Sequence, residues 1–488
     1  MTEAVANEEA LPTKLDPRHK VILAVLLIST LVVFLNETIL GVALPEIMAQ
    51  LQIPASTGQW LNTAYMLTMA VIIPITGFLL QRFSTRSVYI AAMTLFSIGT
   101  LLAAISPDFS ILLIARILQA SGTAIMMPLM MTTIMVVVPE NLRGSIMGVV
   151  SIVMSVAPAI GPAVSGLILS FAGWRMLFWV VLPIALVTLV IGSIQISSAS
   201  EPRKIKLDYL SVVLSALAFS GVIYGLSSFA TQAQGTSELS PWLPLGFGAI
   251  MLTLFLLRQA KLQKSDDALL DLRTFRSREF TMAMLLMAIA MMSMFGTLLL
   301  LPIYMQDVLG MAPLATGLFL LPGGLIMGFF GPIVGNLYDK HGARKLLVPG
   351  AIAVSSAFWF MTTFSAVTPQ YFVLIAHVVL STGLAFLFTP LFTLSLSSVP
   401  PQLYSYASAT IGTIQQVAGA AGTAIFVTIY TIVLVGASSA GTPTTFAMAD
   451  GMHWAFISGA VLSLLVIVFA ALIKQPSSPE VRAHELAH

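Results

Sequence analysis

The chain has 488 residues, 58% hydrophobic and 9% charged, with a net charge of +2 and no cysteine. Soluble proteins carry roughly 25% charged residues, so a fully water-facing surface is excluded. The small net charge leaves no footprint for nucleic acid, and the lack of thiols rules out disulfides and thiolate metal sites; no metal is expected.

Residues 1–20 are polar and mixed in charge, with no apolar stretch behind a basic end, and are read as a cytoplasmic tail rather than a signal peptide. A membrane helix needs about 20 apolar residues to cross about 30 Å of hydrocarbon. That criterion predicts fourteen spans: 21–43, 57–80, 86–105, 109–137, 145–170, 175–196, 208–230, 241–260, 280–304, 313–337, 345–365, 370–396, 404–436 and 452–473. The polar stretches 197–207 and 261–279 are the expected linkers. Stretches 231–241 and 436–451 are expected as external loops, and 475–488 as a second cytoplasmic tail. The runs are too long, and alternate too little, for barrel strands.

The positive charges fix an orientation. All of the 22 Lys and Arg except Arg116 and Arg175 fall in the two tails or in even-numbered loops. Lys and Arg are retained on the cytoplasmic side during insertion, so both termini are expected inside.

The chain also repeats itself. Pro74-Ile75-x-Gly77-x-Leu79 with Arg82 and Arg86 recurs as Pro332-Ile333-x-Gly335-x-Leu337 with Lys340 and Arg344. Ile114-Ala115-Arg116 with Gly122 recurs as Ile375-Ala376-His377 with Gly383, and Pro45 matches Pro302. Spans 1–6 therefore correspond to spans 9–14. The expected organisation is an all-α integral membrane protein with two pseudo-symmetric six-helix bundles, 21–196 and 280–474, joined by a linker, 197–279, that carries helices 7 and 8.

These features resemble the major facilitator superfamily. Fourteen spans and the run Leu35 to Pro45 resemble its drug:proton antiporter branch. Asn36-Glu37-Thr38, Trp60-Leu61 with Ala64-Tyr65, and Ala407-Ser408-Ala409 with Gln415-Gln416 are most similar to bacterial lincomycin resistance proteins. The resemblance implies a major-facilitator-type fold in a bacterial inner membrane. It also implies a monomer that exchanges protons for small amphipathic drugs, with the proton gradient in place of any cofactor.

Glu37 is the sharpest candidate for proton coupling. A carboxylate within a membrane helix costs several kcal/mol unless paired or hydrated, and such groups mark ion pathways. It sits roughly 24 Å into span 1, in the outer third of the bilayer. The alternative is an acid near the helix end that reaches outside water. The superfamily's usual acid falls at the position of Asn36, so the acid here is displaced by about 100° around the helix. Arg116 lies at comparable depth in span 4 and needs an acceptor. Arg116-x-x-Gln119-x-x-Gly122 resembles the superfamily's fourth-span motif, which ties the arginine to proton coupling. The other reading is a structural arginine held by backbone carbonyls. His377, at the matching place in span 12, is a second proton site or a hydrogen-bonded packing residue. Asp307 is a further proton candidate, or a solvated acid at the outer end of span 9.

The loop Gly335-x-x-x-Asp339-Lys340-x-Gly342-x-Arg344-Lys345 resembles the superfamily's loop signature and is read as a latch on the cytoplasmic face. Gly342 permits positive φ. Asp339 is expected near the N-terminus of the next helix, paired with nearby arginines. In the first copy, at Gly77, Arg82 and Arg86, Gln81 replaces the acid and a neutral latch is expected. Gly161 and Pro162 in span 5 resemble the antiporter hinge motif; close helix packing is the alternative. Substrate contacts are expected from Asn36, Asn62, Gln119, Met126, Met292, Phe295, Gln415 and Gln416. Met suits a pocket that accepts varied shapes, and amides facing lipid would be unsatisfied.

A proton-driven exporter of amphipathic drugs, lincosamides among them, is the expected function. Transport of a specific metabolite, lipid or siderophore is the second reading. No zinc-protease motif, nucleophile elbow or Walker loop is present, which counts against a membrane-embedded enzyme, and the duplicated bundle counts against a channel.

Overall fold

The computed structural model describes residues 16–53, 55–196, 207–233, 240–265 and 267–473. Residues 1–15 of the expected N-terminal tail, the expected tail 475–488 and most of the 197–207 and 231–241 stretches lie outside the described residues, while 17–20 join the first helix.

Punctuation residues set the helix ends. Asp16 accepts from the Arg18 backbone N–H at 2.8 Å and Pro17 opens α1 (Pro17–Leu51). The next helix is α2 (Ala55–Arg82). Ser84 and Asp108 cap α3 (Thr85–Ile105) and α4 (Phe109–Val137) by accepting the N–H groups of Ser87 and Ile111. Then come α5 (Arg143–Leu169), α6 (Arg175–Gln195), α7 (Tyr209–Ala233) and α8 (Trp242–Leu262). A 3-10 turn over Leu272–Arg276 leads to Ser277, which caps α9 (Arg278–Ile303). That helix runs on into a π turn, Tyr304–Val308. The series closes with α10 (Pro313–His341), α11 (Arg344–Met361), α12 (Gln370–Ser397), α13 (Tyr404–Ser439) and α14 (Thr444–Leu472).

Among the described residues, twelve helices are long and apolar enough to cross a membrane. The chain is therefore a multi-pass membrane protein, and twelve of the fourteen expected spans meet this criterion among the described residues. Of the other two helices, α5 includes side chains outside the described residues, and α11 falls short. The second has 18 residues and opens on Arg344 and Lys345, which lowers its hydropathy. The expected external loop 436–451 shrinks to 440–443, because α13 and α14 extend past the apolar core. Helices of 35 and 36 residues at α1 and α13 outrun a single crossing.

Packing repeats with a helix offset of eight. Helix α1 packs on α4, α5 and α6, while α9 packs on α12, α13 and α14. Helix α3 packs on α4 and α6, and α11 on α12 and α14. Across the two sets, α5 packs on α10, and the symmetric pair is α13 on α2. The remaining pair, α7 and α8, leans on α2 and α13.

That extra pair is tied to the second linker. Phe219, Ile223, Phe255, Leu269 and Leu270 cluster with Phe78 of α2 and Ala409 of α13. Gln259 is fully buried; its Oε1 accepts from the backbone N–H groups of Leu269 and Leu270, and its Nε2 donates to Ser211. Asp208 accepts from Nε and Nη2 of Arg258 at 2.6 and 2.7 Å. This forked contact holds the Asp208 carboxyl down to about 2.

Candidate functional site

Four helices deliver polar side chains to one buried place in the first helical set. Arg116 of α4 is 1% exposed. Its Nη1 donates to Gln119 Oε1 at 3.1 Å, one helical turn on. Its Cζ lies 4.0 Å from the centre of the Tyr65 ring of α2. A desolvated cation over an aromatic face gains about 2 kcal/mol. The Tyr65 hydroxyl donates to Thr123 at 2.9 Å, and Thr123 donates to the Gln119 carbonyl. Gln119 Nε2 donates to Thr100 of α3 at 3.1 Å. Arg116, Gln119, Thr123 and Tyr65 thus form a closed ring.

Glu37 of α1 stands beside this ring. It is half-buried and lies within the electrostatic reach of Arg116 and of Tyr65. Among the described residues it makes no ion pair or hydrogen bond, so its carboxylate and the guanidinium interact across a gap. Asn36 next to it is fully buried, and among the described residues neither its Oδ1 nor its Nδ2 has a partner. Thr38 on the other side donates to the Ala157 carbonyl of α5 at 3.3 Å, and Ser165 donates to the Ile39 carbonyl. A Cβ on Gly161 would sit 2.1 Å from the Thr38 hydroxyl, so glycine there lets α5 reach α1. The side chain of Pro162 lies outside the described residues.

The other proton candidates lie elsewhere. His377 of α12 bonds the Leu320 carbonyl of α10 at 3.1 Å, with its Nδ1 buried and unpartnered. Gly323 leaves room for that ring; a Cβ there would be 2.1 Å from Nε2. Asp307 is exposed in the π turn after α9, apart from the Arg116 ring. Of the substrate candidates, Met126 and Gln119 are fully buried. Met292, Phe295, Asn62, Gln415 and Gln416 are half-buried. Gln415 Nε2 has no partner, while Gln416 Nε2 lies 4.0 Å from the Met69 sulfur across the two sets.

A second constellation joins the two sets. It occupies the face where even-numbered helices end and odd-numbered ones begin, here called the basic face. Asp339, in the last turn of α10, accepts from the backbone N–H groups of Gly144 and Ser145 at 2.9 Å each. This corrects the expected arrangement. Asp339 caps α5 of the other set, not the following helix, and among the described residues it pairs with no arginine. Helix N-termini carry unpaired N–H groups and partial positive charge, which an acid satisfies without a cation. Gly342 turns at φ 75°, as the loop signature requires. Arg344 and Lys345 open α11 and are exposed.

Four glycines seat this contact. A Cβ on Gly148 would lie 2.3 Å from the Gly331 carbonyl oxygen, and one on Gly335 would lie 2.1 Å from that of Gly144. On the symmetric side, Gln81 donates to Ser405 at 3.0 Å, a neutral contact. Gly77 faces Tyr406 and Ala409 there, while Arg82 and Arg86 are exposed. Ser151 with Thr389, and Thr132 with Ser408, also bond across the seam.

We expect Asp339→Ala to lower stability by about 1 kcal/mol, the usual worth of a helix cap. Thermal unfolding of the purified protein checks this; an unchanged midpoint would show the contact to be idle.

The family model described as Major Facilitator Superfamily matches residues 26–423. The chain belongs to this superfamily. It is 38% identical to the MFS-type transporter YcnB of Bacillus subtilis over 465 residues, 94% of this chain and 96% of that one. It is 36% identical to the lincomycin resistance protein LmrB of Listeria innocua, covering 93% of this chain and 96% of the relative. Its fold is similar to that of the human organic anion transporter MFSD10, with a TM-score of 0.64 at 13% identity, covering 93% and 100% of the two chains. The chain is thus a membrane transporter rather than an enzyme, and its relatives include drug-resistance proteins.

Several residues of this superfamily member escape a reading by motif alone. Tyr65, Thr100 and Thr123 each look like ordinary span residues. The signal available was depth: Tyr65 begins the third turn of span 2 from the outside, level with Arg116 by the same rise per residue. Gly144 and Gly148 have a spacing common in membrane helices, and the facing Gly331 and Gly335 mark them as a contact.

Proposed function

We propose that the protein exports amphipathic drugs in exchange for protons by alternating access. The observation that carries this is Glu37, an acid inside a membrane helix and beside a buried arginine, with no hydrogen-bond partner among the described residues. It is free to gain and lose a proton, and Arg116 supplies the charge that senses the change. Likeness to lincomycin resistance proteins supports drugs, lincosamides included, as the cargo.

The basic face is the cytoplasmic one on this reading, because Lys and Arg are retained inside. Both termini then lie in the cytoplasm. Helices α5 and α11 are the two further crossings, and the helical sets α1–α6 and α9–α14 are the rocking bundles. The hydrogen bonds and glycine contacts across the seam gather on the basic face, so this state is closed inward. Half-buried Met292, Phe295, Asn62, Gln415 and Gln416 line the path for drug, with Gln415 offering an unused donor. Proton and drug couple if they prefer different states or compete for one site.

The test is drug uptake into vesicles that hold the purified protein under an imposed pH gradient. Accumulation that collapses when the gradient is dissipated is expected. Drug movement indifferent to the gradient would refute antiport.

A further inference from the structure

We propose that Tyr65 is a positioning residue that parks Arg116. Its ring holds the guanidinium off Glu37 while the outward-facing carboxylate takes a proton. Rocking then frees Arg116 to reach Glu37 and expel that proton. The inference rests on Glu37 as the proton carrier and adds a second resting place for its partner.

The geometry shows an arginine seated in a site without anion. A guanidinium has five N–H donors. Here one contact goes to the Gln119 amide at 3.1 Å, the charge lies 4.0 Å from the Tyr65 ring centre, and Nε has no partner among the described residues. A buried cation with unused donors next to a carboxylate it does not touch has somewhere better to go. The ring is itself fixed. Its hydroxyl donates to Thr123, which is anchored on the Gln119 carbonyl, so the parking place keeps its shape when empty.

Arg116 is also the cation available to Glu37. From α2, the ionisable group near Glu37 is Tyr65 itself. Along α5, Arg143 sits at the first residue and donates to the carbonyls of Met135 and Val138. From α6, Arg175 is taken up by the Ser106 carbonyl. On α1, Glu46 accepts from Gln50 and from the Trp174 backbone. When Arg116 moves onto Glu37, the O–H bond of the carboxylic acid breaks. Its proton passes to water on the inner side, leaving a carboxylate paired with the guanidinium.

The test varies the ring's negative face at nearly constant shape. Tyr65→Phe is made with zero, one, two and three ring fluorines, and export is followed against external pH. Plain Tyr65→Phe keeps the face but loses the Thr123 anchor, so it sets the reference midpoint for the series. Each fluorine drains the face and frees Arg116 to hold Glu37 ionised. The midpoint should therefore move stepwise to lower pH, by about one unit at three fluorines. A midpoint independent of fluorine overturns the proposal. Glu37→Gln run alongside separates the two readings. If it removes the pH response while the fluorine series stays flat, parking is wrong and the proton carrier stands. If it leaves the response intact, the carrier assignment itself falls.

Discussion

Glu37→Gln is expected to abolish gradient-driven export and to flatten the remaining activity against pH. Glutamine keeps the size and hydrogen-bonding shape of the protonated acid but cannot ionise. A carrier frozen in that form can pass drug between states but cannot draw on the proton gradient. Moving the acid back should not repair it. Asn36 is fully buried, with neither side-chain atom partnered, and lies about 100° around the helix from Glu37. Asn36→Asp in the Glu37→Gln background would place a carboxylate where no described donor meets it. Export by intact cells across external pH decides both points. Wild-type behaviour of Glu37→Gln would remove the proton carrier, and full rescue by Asn36→Asp would show the two positions to be interchangeable.

The second large effect belongs to the seam, which must both close and open. Ser151 and Thr389 face each other across it with hydroxyl oxygens 2.6 Å apart. The chain has no cysteine, so Ser151→Cys with Thr389→Cys introduces the sole thiol pair. Oxidation is expected to stop transport and a reductant to restore it. Gly148→Val works in the opposite sense. A Cβ at that position would lie 2.3 Å from the Gly331 carbonyl oxygen, which is backbone and cannot step aside cheaply. Overpacking of this kind costs about 1–3 kcal/mol. Export should fall because α5 and α10 no longer meet. Full transport by the oxidised double variant would mean that the basic face never opens, contrary to alternating access.

Much of this architecture was legible in the residues. Long apolar runs, alternating basic loops and the recurrence of Pro74-Ile75 as Pro332-Ile333 prescribe a duplicated helical membrane protein, and the helix packing has that symmetry. What the sequence hid was partnership across the repeat. Asp339 belongs by sequence to the loop before α11, yet it caps α5, nearly two hundred residues earlier. No local pattern marks that, because a helix N-terminus offers N–H groups whatever its side chains are. Tyr65 was hidden for a similar reason. A tyrosine in an apolar run fits the core as well as it fits a cation. Its role depends on a contact to α4, fifty-one positions away in the chain. Ends were misjudged where helices outrun the bilayer, as at α13 and α14, since hydropathy marks the membrane and not the helix.

The most direct test of whether a proton on Glu37 governs the seam uses the same cysteine-free background. Thr132 bonds Ser408 across the basic face at 3.1 Å, so a thiol introduced by Ser408→Cys is covered when the face is shut. Its labelling rate with a water-soluble maleimide is measured against pH, with and without Glu37→Gln. Scaled to the thiolate fraction, which itself falls with pH, the account predicts faster labelling as pH falls when Glu37 is present, and a rate that follows the thiolate fraction alone when it is replaced. The same pH dependence in both would contradict it.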